Sequence, residues 1–159
     1  MSNNIGIQSN ITVSYAGRID NINLQQKPFS DIIHIIRTGK SELKENIEKI
    51  RSSSNKKERR SLKESTLPYF NMGLFQDKIR NDQHFKETHH ILLDADHLGD
   101  NVTMMKQKLM DDPAVYCVFV SPSGDGLKII YRLETAVKSE DAYRRIYKYY
   151  CNNFLQKYQ

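Results

Sequence analysis

Hydrophobic and polar residues follow two different periods along the first half of the chain, and each period predicts one kind of element. In residues 11–24 apolar side chains recur at every second position on both sides of Gly17, which predicts a β-hairpin. Residues 30–39 and 41–50 carry apolar side chains at helical spacing, and a serine at the start of each segment can cap a helix. In residues 66–75 a proline and a glycine interrupt a group of aromatic side chains, so an irregular or extended passage is expected there.

The second half of the chain has a clearer pattern. The apolar run "HHILLDAD" predicts a central strand over residues 89–96, and helical spacing follows it up to Pro113. The runs "AVYCVFV" and "LKIIYRL" flank the turn "SPSGDG" and predict a second hairpin. A final helix is expected to begin at Ser139. The order strand, helix, strand, strand, helix predicts an α+β fold with helices packed on one face of a mostly antiparallel sheet.

Length and composition favour one domain. The chain has 159 residues with 38% hydrophobic content, so we expect a single domain with a modest core. Residues 1–88 would form the N-terminal hairpin and helical part, and residues 89–159 the sheet. The net charge of +5 favours polyanionic partners without requiring one. No signal-like segment or membrane-spanning run is visible, which predicts a cytoplasmic protein without a membrane partner, and Cys117 and Cys151 are expected to be buried thiols.

Two carboxylates end the predicted central strand. Because side chains alternate across a strand, Asp94 and Asp96 share one face, while Ile91, Leu93 and Ala95 share the apolar face that packs on the helices. The Cα atoms of the two aspartates would lie roughly 6.6 Å apart. A divalent cation bound by both would relieve their mutual repulsion, so the pattern predicts a Mg²⁺ or Mn²⁺ site. The alternative is that both are loop aspartates that cap helices or bind water.

Zinc is a poorer interpretation of the same segment. His89, His90 and His97 lie close together in sequence, but adjacent histidines of a strand face opposite sides and no cysteine is near.

The turn "SPSGDG" and the strand after it could bind phosphate groups. Its two glycines permit a tight turn and close approach of a ligand, and its serines supply hydroxyl donors. The turn lacks the Gly-Lys-Ser/Thr of a Walker loop, and an ordinary hairpin connection is the alternative. Two cations in the following strand lie on its less apolar face, as phosphoryl transfer would require. The candidate nucleotide-binding residues are Ser121, Ser123, Gly124, Gly126, Lys128 and Arg132.

A basic stretch lies upstream of these motifs. It interrupts the helical periodicity after residue 50, and it is interpreted either as a solvated helix face or loop, or as a surface that contacts a nucleic-acid backbone. Its candidate nucleic-acid-binding residues are Lys56, Lys57, Arg59 and Arg60.

Taken in order, these motifs resemble those of a known group of proteins. "DADH", followed after a helix by "SPSGDGLK", resembles the first two motifs of the archaeo-eukaryotic primase-polymerase superfamily. The resemblance is closest to the N-terminal primase-like domain of virulence-associated E type replication proteins of bacteria and their mobile elements. It covers roughly residues 30–159, including an upstream "K..LP....G.F" passage. In this chain that passage is formed by Lys63, Leu67, Pro68, Gly73 and Phe75.

The resemblance implies a function and an assignment of roles. Asp94 and Asp96 would be catalytic and hold Mg²⁺ or Mn²⁺, the serine-glycine turn would contact a nucleoside triphosphate, and the sheet would be like that of the RNA-recognition motif. The expected activity is nucleotidyl transfer on a single-stranded DNA template during DNA replication, with a helicase domain or protein as a possible neighbour. Lys128 stands where many relatives carry histidine, but a lysine also offers a positive charge for a triphosphate.

The third carboxylate of that pattern is missing from the sequence. It is expected on a strand beyond the last helix, whereas the chain stops at Gln159, and Asp100, Asp125 and Glu134 lie elsewhere. We therefore expect either a truncated piece of a longer protein or a domain without full catalytic equipment, and whether it is an enzyme stays open. One alternative is a non-catalytic nucleic-acid-binding module with vestigial aspartates. Another is a metal-dependent nuclease or nucleotidyltransferase of a different fold.

Overall fold

The computed structural model describes residues 11–158, which form seven β-strands and five α-helices. In chain order these elements are β1 (Thr12–Ala16), β2 (Gln25–Pro28), α1 (Phe29–Thr38), α2 (Ser41–Ser52), α3 (Lys56–Thr66), β3 (Tyr69–Asn71), β4 (Leu74–Phe75), β5 (Phe85–Ala95), α4 (Val102–Met110), β6 (Val115–Val120), β7 (Leu127–Val137) and α5 (Glu140–Tyr158). The predicted α+β class with antiparallel sheets is confirmed.

The larger sheet has the strand order β4-β5-β7-β6, and each neighbouring pair is antiparallel. β5 and β6 are therefore parallel to each other and are connected through α4, so β5 to α5 form a split β-α-β unit followed by a helix. The predicted central strand is present but begins earlier, at Phe85, because its first residues pair with β4. The hairpin of β6 and β7 and the final helix are also confirmed, and Ser139 Oγ accepts a hydrogen bond from the Ala142 N–H at 3.2 Å.

Both faces of this sheet are packed. α4 and α5 cover the face that carries Ile91 and Ile129, whose side chains are fully buried. On the opposite face, β1 and α1 pack over Ile130, which is also fully buried. This second contact buries His90 and Ile130, whereas Asp94 and Arg132 on the same face are exposed to solvent.

The N-terminal hairpin belongs to a second sheet, of order β2-β1-β3. Its second strand is Gln25–Pro28 and not the predicted segment with Ile22 and Leu24. β2 is an edge strand without a buried side chain, so it shows no hydrophobic alternation. Leu24 is buried in the preceding loop, where its N–H donates to the Lys78 carbonyl at 2.7 Å.

The predicted serine caps of α1 and α2 are wrong, since neither helix has a side-chain cap. The chain enters α1 directly from β2 and places Ser30 inside the first turn, and α2 begins at Ser41 itself. α3 contains the basic stretch and is capped by Asn55, whose side chain accepts from the backbone N–H groups of Lys57 and Glu58 at 2.9 and 3.3 Å. No residue of α3 is buried, so it presents much of its charge to solvent.

A buried carboxylate ties the end of α5 to the loop before β6. Asp112 accepts from Lys157 Nζ at 2.7 Å, from the Tyr158 hydroxyl at 2.5 Å and from the Ala114 N–H at 3.0 Å. Burial alone would raise the pKa of Asp112, but these hydrogen bonds outweigh it, so the pKa lies below the ordinary value. The cluster fixes the position of the last helical turn.

Two remaining predictions concern the thiols and the membrane. Cys117 and Cys151 are free and half-buried, so the prediction of buried thiols is wrong for both: Cys117 borders a cavity, and Cys151 lies only partly covered on α5. Within residues 11–158, no helix combines the length and apolar character that a membrane span needs.

Candidate functional site

The predicted carboxylates lie where β5 ends. Asp94 is near the end of β5, Asp96 follows the strand, and both side chains are exposed. Both line an open cavity of about 1210 Å³ between the sheet and the N-terminal helices. The structure therefore brings the two carboxylates to one solvent-accessible space.

Lys128 stands directly opposite Asp94 in the pairing of β5 with β7. Its Nζ lies 2.5 Å from Asp94 Oδ1, and the two side chains are 30% and 43% exposed. An ion pair as exposed as this contributes only about 0.2–1 kcal/mol to stability. Its main effect is local, because it neutralises one of two neighbouring carboxylates.

The two carboxylates have oxygen donors suited to Mg²⁺ or Mn²⁺. Asp94 and Asp96 would be the protein ligands, and phosphate oxygens and water would supply the others, which is how Mg²⁺ is commonly bound beside nucleotides. Across the part of the chain that the structure describes, no group of three or more His, Cys, Asp or Glu residues could hold a metal ion.

The turn between β6 and β7 packs directly against the end of β5. The Ser121 N–H donates to the Gly126 carbonyl at 2.8 Å, and the two serine hydroxyls of the turn lie 3.0 Å apart. Gly124 has a φ of 84°, a conformation that favours glycine. A Cβ atom on Gly126 would come within 2.6 Å of the Ala95 carbonyl oxygen and 3.1 Å of Asp96 Oδ1. Glycine therefore allows the turn to reach the carboxylates.

Asp125 anchors the other side of the turn. Its carbonyl accepts from the Leu98 N–H at 2.8 Å, and its Oδ2 lies 3.7 Å from His97 Nδ1. A hydrogen bond from Ser123 lowers the pKa of Asp125, although its partial burial acts in the opposite direction. The serine-glycine turn is thus held to the chain segment that follows Asp96.

Two cations of the site come from helices that sequence reasoning did not connect to it. Arg51 of α2 donates from Nε to the Pro122 carbonyl at 3.2 Å and packs beside Gly124. Lys63 of α3 lines the same cavity as Asp94. Both residues are distant from the turn in sequence. No local motif could have placed Arg51 beside the turn, whereas Lys63 belongs to the "K..LP....G.F" passage.

Other predicted residues lie away from this space. Arg132 is exposed and pairs opposite His90, four residues beyond Lys128 along β7, and it does not border the cavity. The remaining basic candidates are on α3. Three of them, Lys56, Lys57 and Arg60, are exposed, whereas Arg59 is half-buried and close enough to Asp125 to contribute to its lowered pKa.

Comparison with known proteins identifies the family. A family model described as BT4734-like, N-terminal domain, matches residues 61–159. The chain belongs to this family. This finding overturns the assignment to the primase-polymerase superfamily and to virulence-associated E type proteins, because the matching family is a different one and no primase-polymerase family is detected. The motifs that suggested it are short, and a carboxylate pair followed by a serine-glycine turn is not specific to one family.

The match to the BT4734-like N-terminal domain includes Asp94, Asp96, the serine-glycine turn and Lys128, but it begins within α3 and does not reach Arg51. No curated protein and no solved structure matches the chain.

Proposed function

We propose that this domain binds a nucleoside triphosphate with Mg²⁺ or Mn²⁺ and serves nucleotidyl transfer onto nucleic acid, as in primer synthesis on a single-stranded DNA template. One observation supports this most: Asp94, Asp96 and Lys128 line one open cavity together with Ser121 of the serine-glycine turn. Carboxylate oxygens suit a divalent cation, while an ammonium group and hydroxyl donors suit phosphate.

Each residue would have a separate task. A bound divalent cation would neutralise phosphate charge and polarise the phosphoryl group. Asp94 and Asp96 would hold it, and Lys128 would pair with a phosphate oxygen. The hydroxyls of Ser121 and Ser123 would donate hydrogen bonds to the same group.

A second candidate is nucleotide binding without turnover. No third ligand joins Asp94 and Asp96 within the described residues, whereas two-metal phosphoryl transfer has to hold both the attacking and the leaving oxygen. A primer-extension assay with the 159-residue chain separates the two candidates. Extension of a labelled primer would favour nucleotidyl transfer, whereas metal and nucleotide binding without extension would favour the second candidate.

The metal assignment is tested by titration with MnCl₂. Asp94→Asn and Asp96→Asn should each weaken Mn²⁺ binding while the circular dichroism spectrum stays unchanged. Asp100→Asn is the matched control, because Asp100 is an exposed carboxylate close in sequence that does not border the cavity. Parent-like Mn²⁺ affinity in both variants would remove the assignment.

Lys128→Ala should change two affinities in opposite directions. Loss of a charge-assisted contact of ~1.5–3 kcal/mol should weaken nucleotide binding roughly ten- to a hundredfold. Loss of the ammonium group that competes for Asp94 should strengthen Mn²⁺ binding in the absence of nucleotide. Lys138→Ala, at an exposed lysine after β7, should change neither affinity. If Lys128→Ala also changes neither, Lys128 has no role in the site.

A further inference from the structure

The cavity extends from the carboxylates to an aromatic end at His90 and Tyr116. Phe119 stands opposite Lys128 in the pairing of β6 with β7, in the same row as Asp94, and it also lines the cavity. Phe70 lies beside it, with a distance of 6.2 Å between the ring centroids. His90 borders the same cavity, four residues before Asp94 on β5, which corresponds to roughly 13 Å along a strand. An elongated ligand could therefore reach from the carboxylates to the aromatic side chains.

Two buried polar atoms at the aromatic end have no partner. Neither His90 Nε2 nor the Tyr116 hydroxyl forms a hydrogen bond within residues 11–158, and both atoms are shielded from solvent. His90 is only 4% exposed, and its ring centroid lies 5.3 Å from that of Tyr116. Buried polar groups are nearly always hydrogen-bonded, so this adjacent pair requires an explanation.

The protonation state of His90 fits a ligand contact. The pKa of His90 is lowered to about 4, mainly because the side chain is buried, so its imidazole is neutral at pH 7. A neutral imidazole nitrogen accepts or donates according to its tautomer, and a tyrosine hydroxyl can do both. The pair therefore suits an uncharged polar edge that carries donors and acceptors.

We propose that this end of the cavity binds the base of the nucleotide, with His90 Nε2 and the Tyr116 hydroxyl hydrogen-bonded to its edge. The inference rests on the proposed function, which places the phosphates near Lys128. A base has a planar apolar face and a polar edge, and stacking on aromatic side chains is a common way to bind one. Because both polar atoms are shielded in this structure, the side chains around them have to move before the base can bind.

Tyr116→Phe tests the proposal with little risk to the fold, because it removes only an unpaired hydroxyl. The parent and the variant are titrated, in MnCl₂, with each of the four common nucleoside triphosphates and with inorganic tripolyphosphate. The variant should bind at least one nucleoside triphosphate about tenfold more weakly, as expected for one lost hydrogen bond, and should bind tripolyphosphate as the parent does. Its melting temperature should be unchanged or higher. Tyr149→Phe, at a tyrosine that is 62% exposed, should match the parent throughout.

The possible results separate this inference from the proposed function. If Tyr116→Phe and His90→Phe bind every nucleoside triphosphate as tightly as the parent, the base site is refuted while phosphate binding can stand. If the parent binds neither tripolyphosphate nor any nucleoside triphosphate, the proposed function and the base site both fail. If Tyr116→Phe weakens tripolyphosphate binding equally, the effect does not come from the base and the inference is overturned.

Discussion

Replacing Gly126 with alanine should disturb the fold and the site together. The added Cβ would lie 2.6 Å from the Ala95 carbonyl oxygen, whereas ordinary contacts begin at 3.4 Å, so backbone atoms would have to separate by about 0.8 Å (3.4 minus 2.6). The nearest obstacle is backbone and not the end of a flexible side chain. The first residues of β7, including Lys128, would therefore move away from Asp94 and the end of β5.

The size of this effect follows from the packing. Overpacking of a well-packed region typically costs about 1–3 kcal/mol. For a chain of this length each kcal/mol lowers the melting temperature by ~2–4 °C, so Gly126→Ala should melt roughly 2–12 °C below the parent. Mn²⁺ and nucleotide affinities should fall as well, because the turn and Lys128 shift relative to Asp94.

Circular dichroism melting curves and Mn²⁺ titrations measure both effects. Gly17→Ala is the matched control, since no atom lies within 4 Å of its added Cβ and its φ is not in the left-handed range. That variant should melt at or slightly above the parent temperature, because alanine reduces the entropy of the unfolded chain. If Gly126→Ala melts and binds like Gly17→Ala, the close packing of the turn on β5 does not support the site.

Three other predictions concern stability and nucleic-acid binding. The pKa of His90 is about 4 in the folded chain, against an ordinary value of 6.5. Between these two pH values the imidazole is protonated in the unfolded chain but neutral in the folded chain. The contribution of His90 to the free energy of unfolding is complete above about pH 6.5 and is lost as the pH falls toward 4. Between pH 7 and pH 5 the loss should be roughly 2 kcal/mol. Urea unfolding measures this pH dependence, which should be smaller in His90→Phe. Asp112→Asn should cost about 1–3 kcal/mol in urea unfolding because it weakens the hydrogen bonds from α5, whereas Asp111→Asn, at an exposed neighbour, should be near neutral. If α3 contacts a phosphate backbone, replacing its four basic residues at 56–60 by glutamine should weaken single-stranded DNA binding and flatten its salt dependence, and an unchanged salt slope would identify α3 as a solvated face.

Hydrophobic periodicity predicted the strands and helices in which the apolar positions of the sequence are also the buried positions of the fold. In β5 the alternate residues Ile91 and Leu93 are 0% and 3% exposed, so the pattern that defined the strand also defines its packing. β2 was misplaced because an edge strand of polar residues carries no such pattern. Hydrophobic periodicity does not identify α3 for a similar reason, since this helix depends on the Asn55 cap and on local pairs such as Arg60 and Glu64 and not on burial.

The candidate site was predicted only where neighbours follow from strand alternation. Asp94, Asp96 and Lys128 were assigned to a common space because the face of a strand residue can be counted from the sequence. Arg51 reaches the turn from a helix that is 71 residues away along the chain, so its contribution depends on tertiary packing. The same holds for the pairing of His90 with Tyr116, whose backbones lie on β5 and β6 with β7 between them.

The ion pair between Lys128 and Asp94 has a thermodynamic consequence if the proposed function holds. A metal ion that binds Asp94, or a phosphate that binds Lys128, has to break this ion pair. A phosphate that takes Lys128 frees Asp94 for the metal, and a metal that takes Asp94 frees Lys128 for the phosphate. The two ligands would then bind with positive heterotropic coupling, and by linkage each would raise the affinity of the other by the same factor.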